Sequence, residues 1–346
     1  MGEKGKKRRF CAAVLCMCML TATCLVRTSA DSVPAVEPGT KLIPMGKAVG
    51  IKLFSDGVLV VGLSGVETDK GSQSPGKACG LKAGDVITHI NGSEVDTIEQ
   101  VQAVLQEQGD GQLTIQAIRS DKAMQLTVQA VENKDGIKQL GVWLRDSMAG
   151  IGTVTFYDPG TGLFAALGHG VNDTDTATLM PLESGSIMPA SVVEVKKGLP
   201  GQPGELRGQF ELTKDLGSLY ANTEKGVFGN SGVLSMPQGA LPMETAARTE
   251  VKTGRATILS NVRGDAVEEF DVELVCVDRS GSGTRNMLLK VTDPELLEIT
   301  GGIVQGMSGS PVIQNGRIVG AVTHVLVNDP TRGYGIFIEN MLEAAG

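Results

Sequence analysis

The stretch that decides the fold is "GGIVQGMSGSPVIQNGRIVGAVTH", Gly301 to His324. It sets Ser308 among glycines, follows it with Ser310-Pro311, and joins two apolar runs, Pro311 to Gln314 and Arg317 to Thr323, through Asn315-Gly316. Asn-Gly between such runs is a two-residue hairpin turn, because both residues accept positive φ. A surface hairpin accounts for the runs but not for Gly306 and Gly309. Small residues beside a serine let the backbone approach a substrate and turn its amides inward, as a nucleophile with an oxyanion site requires. Gly-x-Ser-Gly also arises by chance in turns. "GNSG" at Ser231 lacks the Pro-strand-turn-strand sequel and reads as a loop serine.

Outward from this stretch, 346 residues with 46 glycines, 41% hydrophobic and 3% aromatic content describe a globular, strand-rich chain long enough for two compact domains. The amino terminus differs. Lys4, Lys6, Lys7, Arg8 and Arg9 precede an uncharged run from Phe10 to Val26, then Arg27 and "TSA" before Asp31, the pattern of an export signal or membrane anchor over residues 1–30. Its basic flank places the rest of the chain outside the cytoplasm. Without residues 1–30 the chain keeps 25 of 31 basic and 38 of 39 acidic residues, so the net charge moves from −8 to −13. An acidic exported chain is a poor partner for nucleic acid.

Four of the six cysteines lie in the export segment, leaving Cys79 and Cys276, which imply no disulfide framework. Only His89, His169 and His324 are present, without close Cys/His spacing, so no metal site is expected. No cofactor is called for either.

Residues 31–44 carry three prolines and Gly39 without apolar period, an expected linker. From Met45 short strand-like runs begin, followed by "ACGLKAGDVITHINGSEV", a helix at "TIEQVQAVLQEQ" capped by Thr97, and two strands ending near Val131. "GLKAGDVITHINGSEV" resembles the PDZ domains of exported bacterial proteases, which predicts a PDZ domain over residues 45–132. In such domains a peptide adds as a strand beside a strand whose preceding loop holds its carboxylate. That resemblance implies contacts from Met45, Gly46, Val49, Gly50, Ile51 and Leu53, to a free carboxy terminus or an internal segment. His89, in the same region, reads as structural. Residues 133–346 continue as short strands with Gly and Pro turns, the texture of packed β-barrels.

A serine nucleophile needs a base and an orienting acid. His169, in "LFAALGHGV", ends an apolar strand between glycines and is either an exposed imidazole or a packed loop residue. His324, sixteen residues after Ser308, reads better as a partly buried strand residue. Asp293 in "VTDPELL" is either an acid or a helix cap, with Asp173, Asp175, Asp265, Asp271 and Asp278 as rivals. The order of glycine-flanked serine, proline, strand, turn and returning strand is that of trypsin-like proteases.

Export segment, PDZ domain, "FAALGHGV" and "VTDPELLEITGGIVQGMSGSPVIQNGRIVGAVTHV" together resemble the SpoIVB (stage IV sporulation protein B) peptidases of endospore-forming Firmicutes. The resemblance implies a mainly β chain, a PDZ domain followed by a trypsin-like double β-barrel. It implies a serine endopeptidase with His169 as base, Asp293 as acid, Ser308 as nucleophile, and the Gly306 and Ser308 amides as oxyanion donors. It further implies self-cleavage near the amino terminus and cleavage of a SpoIVFA-type regulator of a membrane metalloprotease complex, which releases pro-sigma-K processing. The site of action would be the intermembrane space of the forespore. Two other readings stay open: a PDZ adaptor that no longer cuts, and a broad-specificity quality-control protease, which usually carries its PDZ domain after the catalytic one.

Overall fold

A computed structural model describes residues 39–231 and 240–346; the expected export segment and the first eight residues of the expected linker lie outside the described residues. The chain is mainly β. Strand β1 (Lys41–Leu63) is followed by helix α1 (Pro75–Cys79), β2 (Val86–Ile90), α2 (Ile98–Glu107), β3 (Leu113–Arg119) and β4 (Lys122–Val128). Then come β5 (Val142–Tyr157), β6 (Leu163–Ala166), β7 (Ser184–Lys196), β8 (Gly217–Thr223) and β9 (Gly226–Asn230).

Successive antiparallel pairings β1–β5–β6–β9–β8–β7 return to β1, where Val49 to Phe54 pair with Pro189 to Ser184, so six strands close a first barrel. Ring closure leaves these strands no open edge over the paired segments. Alternation along them turns Ile43, Met45, Val49, Ile51, Val154, Phe164, Ile187 and Val227 into one buried core.

The second barrel contains β10 (Gly254–Arg263), β11 (Ala266–Val277) and β12 (Met287–Val291), then, after helix α3 (Pro294–Thr300), β13 (Pro311–Gln314), β14 (Arg317–Val325) and β15 (Arg332–Phe337). It closes in the order β10-β11-β12-β15-β14-β13. Helix α4 (Ile338–Ala345) packs Ile338, Met341 and Leu342 inward after it. The double barrel expected from the sequence is present. The expected hairpin is β13–β14, turned by Asn315 at φ 52° and Gly316 at φ 72°.

The domains do not follow one another in line. Residues 45–54, placed by the sequence reading in the PDZ domain, are a strand of the first barrel, and Lys41 to Pro44 of the expected linker belong to the same strand. The PDZ fold occupies the excursion between the two halves of the β1–β5 ribbon. Its core gathers Val58, Val60, Leu81, Ile87, Val101, Leu105, Ile115 and Leu140 around α2. The transition falls at Gly57, with φ 81°, where a Cβ would lie 2.8 Å from the Ile87 carbonyl. Pairing with β5 is irregular between Phe54 and Leu59, so the ribbon changes partners there. Inside the PDZ fold Thr97 accepts from the Gln100 N–H while the Gln100 side chain accepts from the Thr97 N–H, a reciprocal helix cap. Asp85, wholly buried, accepts two hydrogen bonds from Arg119 at 2.6 and 2.7 Å.

Candidate active site

Ser308 sits on a short connection between α3 and β13, and its neighbours explain the glycines. Gly306 and Gly309 both have φ 97°. A Cβ on Gly309 would lie 2.0 Å from the Thr153 carbonyl, and one on Gly306 would lie 2.9 Å from the Leu206 Cβ. Left-handed backbone and lack of room together require glycine. Thr153, in β5, holds the segment twice: its N–H donates to the Ser308 carbonyl at 3.1 Å and its hydroxyl to the Gly306 carbonyl at 2.7 Å. With that carbonyl tied back, the N–H groups of Gly306 and Ser308 donate to nothing among the described residues, and both residues line one cavity. Two unspent amides beside a serine hydroxyl form the arrangement an oxyanion requires.

The cavity, about 450 Å³, lies between the barrels. His169 enters it from the first barrel. Strand β6 is followed by Leu167 and Gly168, both left-handed with φ 70° and 69°, which turn the next residue out of the sheet. Leu167 in that conformation is strained and is held by its N–H bond to the Thr153 carbonyl at 3.1 Å. The His169 Nδ1–H donates to the Gly170 carbonyl at 2.8 Å, which leaves Nε2 as the unprotonated nitrogen. Burial pushes the imidazole below its ordinary pKa, while the Gly170 carbonyl pulls the other way. The ring is therefore neutral at pH 7, the state of a base awaiting a proton. The Ser308 hydroxyl itself donates to the Thr323 carbonyl at 2.7 Å, so reaching a histidine requires a rotation about χ1.

His324 also lines this cavity, its ring 5.0 Å from that of His169. The sequence reading left it in the strand and outside the site. The signal for it was its place at the end of β14, the strand that returns from the serine hairpin. Its Nδ1 is buried without a partner. Burial first, then the neighbouring His169 and Arg285, push its pKa down to about 4.

Asp293 does not join the two. Of the roles open to it, it occupies that of helix cap: its carboxylate accepts from the N–H groups of Glu295 and Leu296 at the start of α3, at 2.9 and 3.0 Å, and from that of Asp271 at 3.3 Å. Its rivals are engaged elsewhere. Asp173 and Asp175 hold Arg145, Asp265 faces Lys47, Asp278 accepts from Ser280, and Asp271 lines a different cavity. No carboxylate lines the cavity among the described residues. The Gly170 carbonyl stands where an orienting acid would.

Ser231 donates its hydroxyl to the Leu216 carbonyl and lies outside the cavity. His89 is a strand residue of β2 paired with Glu94 and Gln116.

The expected peptide contacts Met45, Gly46, Val49, Gly50, Ile51 and Leu53 do not form a PDZ groove. Strand β1 is hydrogen-bonded along both edges from Val49 to Phe54, to β5 on one side and β7 on the other, so no further strand can add there. Ile51 and Leu53 instead line the cavity. The open edge beside α2 belongs to the start of β5. Before it, the carbonyls of Leu140 and Gly141 accept from Gly76 and Ser64 at 2.7 and 2.9 Å, while their own N–H groups have no acceptor among the described residues. Gly141 has φ 70°, the left-handed conformation from which anion-binding turns of successive N–H groups are built. "QLGVW" carried this loop in the sequence, masked by the stronger strand texture from Met45.

A PDZ domain profile matches residues 71–119. A solved structure, the PDZ domain of an SdrC-like protein from Listeria monocytogenes, is 25% identical and aligns with 26% of this chain and 87% of its own, with a TM-score of 0.21. No curated protein matches. The SpoIVB peptidase S55 profile matches residues 136–342, the greater part of the chain, including Ser308 and His169. The chain is a serine endopeptidase of the SpoIVB peptidase S55 family.

Proposed function

We propose that Ser308 is the nucleophile and His169 its base, with Gly306 and Ser308 as oxyanion donors, in cleavage of a few protein substrates. The carrying observation is that side chains from two different barrels, His169 and Ser308, face one cavity beside two unspent amides. Ser308 Oγ attacks the peptide carbonyl and His169 Nε2 takes its proton and passes it to the departing amine. Water then repeats the sequence on the acyl-enzyme. The Gly170 carbonyl keeps His169 in the required tautomer, and Asp293 acts through the helix that precedes the Ser308 segment.

Family membership and the export pattern support a place in sporulation signalling. In that reading the mature chain acts between the two sporulation membranes, cleaves itself in residues 31–40, ahead of the β1 strand, and cleaves a SpoIVFA-type regulator, releasing pro-sigma-K processing. The PDZ domain presents the loop 138–141 and the edge of β5 to a peptide.

The test is intact mass over time for residues 31–346, wild type and Ser308→Ala, alone and with a SpoIVFA-type ectodomain or unfolded casein. Shortening of the wild type and the ectodomain, with casein spared and Ser308→Ala inert, is the expected result. Rapid digestion of casein would replace signalling by quality control. Inert wild type would return the chain to the adaptor class.

A further inference from the structure

We infer that one extended substrate segment occupies the PDZ edge and the catalytic cavity at the same time, so the cut falls at a set distance from the substrate's carboxy terminus. This rests on the reading of Ser308 as nucleophile.

Strand β5 is paired with β1 along one edge, with a register shift at Asp146, but along the other it meets β6 only from Val154 onward. Just before that point Thr153 turns its N–H to the Ser308 carbonyl and its carbonyl to the Leu167 N–H, so both groups of Thr153 lie on this second edge. Register with β1 is unbroken from Ser147 to Val154, and alternate residues of a strand face the same side. The N–H and carbonyl groups of Ser147, Ala149 and Ile151 therefore point to the open edge, where no described group bonds them. Met148 to Ile151 line the cavity, and Val142 onward runs beside α2. The open edge runs from Leu140 and Gly141 to the backbone of Ser308 with one irregularity, at Asp146, where the register with β1 shifts and the carboxylate accepts from the Ile98 N–H at the start of α2 at 3.0 Å.

A peptide added to this edge in the antiparallel sense places its carboxylate at Leu140 and Gly141 and its upstream residues toward Ser308. The part lying on β5 is then the departing side. As the Ser308 Oγ–carbon bond forms and the carbon–nitrogen bond breaks, the amine takes the proton from His169 and leaves along β5. Val142 to Ile151 spans about 30 Å, so the released fragment is about ten to twelve residues long.

The probe is a mixture of random-sequence peptides of about twenty residues, long enough to cover that span, prepared with free or amidated carboxy termini. With the wild-type chain, released carboxy-terminal fragments should cluster at about ten to twelve residues, and amidation should slow cutting at least about tenfold. Ser308-dependent cuts at all distances from the terminus overturn the inference while leaving the nucleophile in place. Binding is read separately in full-length Ser308→Ala by backbone hydrogen exchange and by fluorescence of Trp143, the chain's one tryptophan, which lies on β5. Protection should reach Ala149 and Ile151, and Ala149→Pro should confine it to residues before Ser147 while the Trp143 signal persists. Protection that ends before Ser147 in the parent overturns the inference, even if cutting is absent and the nucleophile reading falls.

Discussion

The two histidines of the cavity, with rings 5.0 Å apart, differ in how each presents its ring nitrogens. His169 arrives on a turn of two left-handed residues, with Nδ1 tied to a carbonyl and Nε2 left open. His324 arrives on a regular strand, with Nδ1 buried and unpartnered and its pKa pushed down to about 4. A base needs one nitrogen anchored and the other presented. His324 is held neutral and gives the cavity a second uncharged ring beside the first.

The sharpest way to break this comparison is to remove each ring. His169→Ala should lower kcat/KM at least about 10³-fold, the scale of losing a general base. His324→Gln should lower it by no more than about tenfold, as loss of a wall contact rather than of proton transfer. Reversal of that order would exchange their roles.

A pH profile sharpens it further. Activity should fall on acidification as His169 takes its proton, at a pH below the ordinary histidine value of about 6.5, because burial opposes the charge. That limb should persist in His324→Gln, whose missing ring is already neutral there. Disappearance of the limb in this variant would place the titrating base on His324.

Asp293 offers a smaller effect. Asp293→Ala should cost about 1 kcal/mol through the lost cap of α3, read by thermal unfolding, whereas Asp293→Asn should keep most of the stability and the activity. An Asp293→Asn protein that folds normally yet is as inactive as His169→Ala would make the carboxylate catalytic.

An effect of similar size is expected on acid stability. His324 titrates at about 4 in the folded chain and near 6.5 when unfolded, so its contribution is whole above about pH 6.5 and declines as the pH falls toward 4. After discounting for solvent around this partly exposed ring, the loss is about 1 kcal/mol. Denaturant midpoints at pH 7 and pH 4.5 should converge in His324→Gln relative to wild type.

Much was legible in the chain itself, for local reasons. The β13–β14 hairpin followed from Asn315-Gly316, the α2 cap from Thr97, and the setting of Ser308 from glycines whose φ values no other residue adopts readily. The strand-rich texture followed from short runs and frequent turns. These features depend on neighbours in sequence, so the sequence by itself determined them.

Partnership between distant strands was another matter. Residues 45–54 have the same alternating texture whether they border a PDZ groove or close a barrel. Only pairing with β5 and β7 on both edges decided for the barrel. Asp293 before Pro294 reads equally as acid or cap until its carboxylate meets the N–H groups of Glu295 and Leu296. His324 entered the site only because closure of the second barrel brings β14 against the loop after β6. Hydrogen-bond partners across a sheet and the walls of a cavity are set by contacts between residues far apart in the chain, and local preference carries no record of which of them will meet.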